Sequence, residues 1–158
     1  MICDHLEVSS CNRGKLPFKS WFLPYLVKIV IYIAMTKVLS LYNKLKSWPL
    51  GKAMFSASFS IWAPYFMTIR PMVEDLGPGK AVVSLNQRWG VQNHIKTVHA
   101  IAVCNLVEMA MGLVAEASIP NHLRWIPMGM DVTYKKKATG KLTAFSDIDP
   151  ETFFTLEK

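Results

Sequence analysis

Three polar side chains, Asn93, His99 and Glu108, stand in or just before an apolar run from Val98 to Ala117. An amide, an imidazole and a carboxylate are parts from which a site can orient a carbonyl, hold a proton and attack or activate water. The run is long enough for about five turns of helix, ending before Pro120. A helix start leaves backbone N–H groups unpaired, and those of Ala100 and Ile101 could point at a developing oxyanion. Glu108 could then act on the carbonyl carbon directly or through a water, which is acyl transfer to water. If regular helix extends through His99, about 100° per residue turns His99 and Glu108 to nearly opposite sides, and a shared site needs a two-fold dimer. Simpler roles stand beside these: His99 as a helix cap or core-edge residue, Glu108 as an exposed acid on the outer face.

The surrounding chain must build what holds these residues. Residues 1–20 are polar and irregular, with Asn12-Arg13-Gly14-Lys15 and Pro17 against a regular element. Residues 21–42 turn apolar after Arg13, Lys15 and Lys19, as an interfacial or anchoring segment would, although Pro24, Lys28 and Lys37 interrupt a clean span. Val38, Leu41, Tyr42 and Leu45 have helical spacing, Pro49-Leu50-Gly51 makes a turn, and a second helix is predicted over 52–63. Pro64 and Pro71 bound a short segment leading into an extended piece. After the turn Leu76-Gly77-Pro78-Gly79, residues 80–86 read as a strand. Met128, Met130, Val132 and Tyr134 alternate, so a strand is expected over 125–137; Thr139-Gly140 turns into another over 140–148.

A chain of 158 residues with 51% hydrophobic content holds one domain with a sizeable core. The net charge of +7, from 18 basic and 11 acidic residues, favours anionic partners, and Lys135-Lys136-Lys137 is its one basic run. The basic residues are not interleaved with aromatics in a nucleic-acid motif, so no nucleic-acid partner is expected. Cys3, Cys11 and Cys104 are odd in number and lack CxxC spacing, which argues against a disulfide framework or zinc site and for a reducing intracellular compartment. Cys104 reads as a small buried hydrophobe.

At Asn93, His99-Ala100-Ile101 and Glu108 the sequence resembles the hotdog-fold thioesterases, in the branch similar to phenylacetate-pathway (PaaI-type) enzymes and the DUF4442 proteins. The former carry an Asn, a His-Gly-Gly six positions on, and an acid nine beyond the His. The likeness to the DUF4442 proteins extends through Leu50-Gly51-Lys52, Ala63-Pro64-Tyr65, Thr68-Ile69-Arg70, Asn93-His94, Val98-His99-Ala100 and Trp125-Ile126-Pro127. It implies an α+β hotdog fold: a long central helix wrapped by an antiparallel sheet including 80–86, 125–137 and 140–148, with the sheet's C-terminal strands missing. The domain would span 35–158, behind an extension over 1–34.

The implied activity is hydrolysis of an acyl-CoA or related thioester without cofactor or metal. Glu108 would be base or nucleophile, the Ala100 N–H would polarise the carbonyl, and Asn93 and His99 would position the reactants. Ala100 and Ile101 replace the two glycines, which keeps the donors but adds side chains where substrate approaches. Ile101, Arg88, Lys135, Lys136 and Lys137 are the expected substrate contacts, the cations toward the CoA phosphates. A homodimer or dimer of dimers is implied, with a membrane surface as a further partner through 21–42. The alternatives are a noncatalytic acyl- or lipid-binding hotdog protein and an inactive truncated isoform.

Overall fold

A computed structural model describes residues 37–119 and 123–149. The expected extension over 1–34 lies outside them, as does all of the apolar stretch before residue 37. Helix α1, Lys37–Leu45, buries Leu39 and Tyr42 and leaves Leu41 exposed. Helix α2, Gly51–Trp62, buries Phe55 and Phe59. Gly51 is required where the two helices meet, because a Cβ there would fall 1.7 Å from the Leu45 carbonyl oxygen. Tyr42 meets Phe55 edge-on at 5.1 Å, so the helix pair closes one end of the core through aromatic packing.

A 3-10 turn, Pro64–Thr68, leads into three antiparallel strands in the order β1 (Met72–Gly77), β2 (Lys80–Asn86) and β3 (Lys141–Asp147). The chain turns from β1 to β2 through Pro78 and Gly79, the latter at φ 74°. β2 pairs with β3 in unbroken register from Lys80 opposite Asp147 to Asn86 opposite Lys141. Helix α3, Ala100–Ser118, lies between β2 and β3 in sequence and packs across the sheet. Ala81, Val83 and Leu85 of β2 and Leu142 and Ala144 of β3 meet Leu106, Met109, Leu113 and Val114 of α3, all buried. That alternation on the strands is what one covered sheet face requires. α3 is long and apolar enough to cross a membrane, but most of it is buried in this core.

β1 escaped the sequence reading because of a bulge. Its register against β2 shifts between Val73 and Asp75, so one extra residue, Glu74, sits in the strand. Val73 and Leu76 are therefore both buried despite a spacing of three that breaks strand alternation. The bulged Glu74 carboxylate accepts from Ser84 Oγ at 2.7 Å and Lys141 Nζ at 2.8 Å, which ties all three strands together. These two donors, Lys141 first, hold its pKa below the usual carboxylate value.

The expected strand over 125–137 is not formed. The segment is irregular and runs antiparallel along the outer side of α3, from Trp125 Nε1, which donates to Glu116 Oε1 at 2.9 Å, to Tyr134 OH, which donates to Ala100 O at 3.2 Å. Alternation specifies a face but not a partner, and a ladder needs a neighbouring backbone. Here the neighbour is a helix, and Ile126 and Met128 stand in solvent.

Candidate active site

α3 begins two residues later than its apolar run. Val98 is held in an isolated bridge with Gln92, and His99 is the N-cap, at φ −62° and ψ 138°. His99 Nδ1 accepts from the Ile101 N–H at 3.1 Å, so the ring caps the helix through that nitrogen. Because His99 has extended backbone, the helical-wheel argument that set it opposite Glu108 does not apply. His99 N–H donates to Val91 O. Among the described residues no acceptor is found for the Ala100 N–H, which leaves a donor at the helix opening.

Beside this opening is a cleft of about 190 Å³, walled by Tyr65, Thr68, Gln92, His99, Ile101 and Asn105. The 3-10 turn supplies Tyr65 and Thr68, the loop after β2 supplies Gln92, and the first turns of α3 supply the rest. Asn105 is only 3% exposed. Its Nδ2 donates to Thr68 Oγ1 at 3.3 Å, while its buried Oδ1 has no hydrogen-bond partner among the described residues. Leaving such an acceptor unmet costs about 1–3 kcal/mol, a cost seldom retained without a role. Asn105 was not among the sequence candidates, although an amide between Cys104 and Leu106 in an apolar helix was its visible signal.

The expected site residues are only partly brought together. His99, Ala100 and Ile101 form the helix opening. Glu108 follows Ile101 by seven residues and Asn105 by three, so it shares their side of α3, half-exposed and without a hydrogen bond or ion pair to a described residue. Asn93 stands in the preceding loop, where its Oδ1 accepts from Ile95 N–H at 3.1 Å and Thr97 N–H at 3.0 Å and its Nδ2 donates to Thr97 Oγ1 at 2.7 Å. Its side chain thus builds the loop that delivers the chain to His99. Arg88 donates through a terminal nitrogen to Thr68 O and so braces the back of the cleft.

Lys135, Lys136 and Lys137 are exposed. They are nevertheless held at the helix start between two anchors, Tyr134 OH on Ala100 O and the Val98 N–H on Ala138 O at 2.8 Å. Tyr134 OH also lies 2.9 Å from Cys104 Sγ, and this contact is the main cause of a phenol pKa pushed up to about 12. Cys104 is half-buried against this tyrosine rather than fully enclosed.

Against known families, residues 51–158 match the model of a domain of unknown function, DUF4442. The chain belongs to the DUF4442 family. A solved structural-genomics target is 44% identical to this DUF4442 chain, covering 71% of it and 74% of the target, with a TM-score of 0.62. A Pseudomonas aeruginosa protein of unknown function, described as a probable thioesterase, is 22% identical over 70% of this chain and 72% of its own, with a TM-score of 0.59. No curated protein matches. The likeness supports the hotdog architecture, here a central apolar helix on an antiparallel sheet.

Proposed function

We propose that this protein hydrolyses an acyl-CoA or related thioester at the start of α3. The observation that carries the reading is a helix opening whose Ala100 N–H has no acceptor among the described residues, with the Glu108 carboxylate, likewise without a partner among them, on the same side of the helix. An oriented backbone donor stabilises the oxyanion that forms when a thioester carbonyl is attacked. A carboxylate two turns along can take the proton of water or attack the carbonyl itself. The likeness to a protein described as a probable thioesterase supports the reaction class. Lys135, Lys136 and Lys137, tethered beside the opening, suit the phosphates of CoA. Ile101, 55% exposed at the rim, suits contact with the acyl group or pantetheine arm. Asn93 shapes the loop that presents His99, and His99 holds the first turn. A second copy of the chain closing over the half-exposed Glu108 side completes the proposal as a homodimer.

The test is turnover of acyl-CoAs of graded chain length by purified protein, with Glu108→Gln as control. Loss of at least about 100-fold in kcat is expected for a missing general base; equal rates would remove Glu108 from the mechanism.

A noncatalytic acyl-binding reading has its own observation. An apolar groove of about 280 Å³ lies between α2 and the start of β1, lined by Ala53, Ala57, Ser60, Ile61 and Met67. It predicts retention of an acyl chain without turnover. Recovery of the chain with membranes, lost on deleting residues 1–34, would extend that reading to the apolar stretch over 21–42.

A further inference from the structure

We propose that the exposed side of α2 is a docking face for an anionic membrane surface, with Arg70 beside it as a contact for lipid headgroups. This face belongs to the folded end cap built from α1, α2 and the 3-10 turn, and its role is independent of the chemistry at the cleft.

The two sides of α2 are inverted relative to an ordinary surface helix. Its buried side takes Ser56 and Ser60 along with Phe55 and Phe59. Ser56 is satisfied there, since its Oγ accepts from the Val73 N–H at 2.8 Å and donates to Lys52 O at 2.7 Å. Met54, Ala57, Ser58 and Ile61, spaced as i, i+3, i+4 and i+7, share the opposite side. All four are exposed, Ile61 at 69%. No charged side chain interrupts the sequence between Lys52 and Arg70. Trp48 and Leu50 are exposed in the turn that enters α2, and Trp62, Tyr65 and Met67 at its exit and in the 3-10 turn. Leu50 is 80% exposed at φ 62°, a left-handed conformation that glycine or asparagine adopts at less cost. Apolar surface this continuous marks a contact.

Charge selects the partner. From residue 8 to residue 73 the chain has no Asp or Glu, yet half of its 18 basic residues fall there. The other half are outnumbered by the 11 acids, so the entire positive excess originates in this stretch. Within the end cap the cations are Lys37, Lys44, Lys46, Lys52 and Arg70, all exposed. Arg70 lines the apolar groove with Ile61 and Met67 and makes no side-chain hydrogen bond or ion pair to a described residue. An anionic bilayer suits both halves of this surface: apolar side chains enter the acyl boundary while cations stay among the phosphates. A second copy suits it less, because a two-fold contact through the cap sets one positive field against the same field. The residues before α1 bring cations of their own, Arg13, Lys15, Lys19 and Lys28, which add to the attraction for an anionic surface. The 3-10 turn is shared, with Met67 on the groove and Tyr65 and Thr68 on the cleft, so docking holds the cleft close to the membrane boundary.

The experiment measures sedimentation of the full chain with vesicles of phosphatidylcholine alone and of phosphatidylcholine with about a third phosphatidylserine. The wild type is compared with Arg70→Gln and with the double variant Met54→Glu, Ile61→Glu, all at exposed positions, and melting temperatures are taken alongside. The wild type is expected to bind the anionic vesicles at least about 10-fold more tightly than the neutral ones, with the excess lost at high salt. The double variant should lower that affinity at least about 10-fold at an unchanged melting temperature, and Arg70→Gln about 3- to 5-fold. Emission from Trp62, isolated by difference against Trp62→Phe, should shift to the blue on the anionic vesicles. Undiminished binding by the double variant would assign the affinity to another part of the chain and overturn the proposal. Equal binding to both vesicles would overturn it as well. So would a wild type that binds neither: a dimer dispersed by the double variant would then name a second copy as the occupant, and a monomer destabilised by it would name residues 1–36.

Discussion

His99 does two things with one ring. Nδ1 is occupied as the N-cap acceptor for Ile101, and the exposed residue also lines the cleft. Capping and chemistry can therefore be separated by substitution. His99→Ala should lower stability by about 1 kcal/mol through loss of the cap. His99→Asn should restore stability in chemical denaturation, and any activity it fails to restore belongs to the ring rather than to the cap. Glu74 gives a prediction of a different kind. Its folded pKa lies below the usual carboxylate value, so its bonds stabilise the protein fully above that value and are lost as pH falls through the lowered folded one. Melting temperature should accordingly fall on acidification below about pH 4.5, less steeply in Glu74→Gln. The carboxylate is partly exposed, so the effect should be modest.

Among the elements, α3 is where small size has a visible reason. A Cβ at Gly112 would meet the Trp125 ring at 3.2 Å, because the segment after the helix folds back along it. Gly112→Val should displace Trp125 from Glu116, costing about 1–3 kcal/mol and shifting tryptophan emission to the red. The small residues of α3 were visible in the sequence, but the sequence could not say that an irregular segment lies over Gly112. The same distinction governs the other elements. α2, α3, β2 and β3 carry periodicities that match their burial, and they were legible to within two residues at their ends. β1 was not, because the bulge at Glu74 puts Val73 and Leu76 on one face. The segment 125–137 misled because alternating side chains do not guarantee a partner strand. Asn105 was hidden for another reason: its hydrogen-bond partner, Thr68, is far from it in sequence.

Across the whole molecule, a further part of the positive charge that composition left unassigned acquires a direction. Lys135, Lys136 and Lys137 are held beside the positive end of the α3 dipole, so backbone and side chains contribute the same sign at one place. Replacing all three with alanine should raise KM for an acyl-CoA several-fold, most at low ionic strength. It should leave KM for a thioester of a short uncharged thiol nearly unchanged.

The order of elements along the chain has a consequence for synthesis. α3 has the length and hydropathy of a membrane span, and its cover comes from both sides in time: β2 is made before it, β3 after it. Until residues 141–147 leave the ribosome, the side of α3 meant for Leu142 and Ala144 has nothing to rest on. During that interval a nascent chain presents what chaperones and insertion machinery recognise, an uncovered apolar helix. β3 is thus a late commitment step, at which a segment that could have been handed to a bilayer becomes the interior of a hotdog fold.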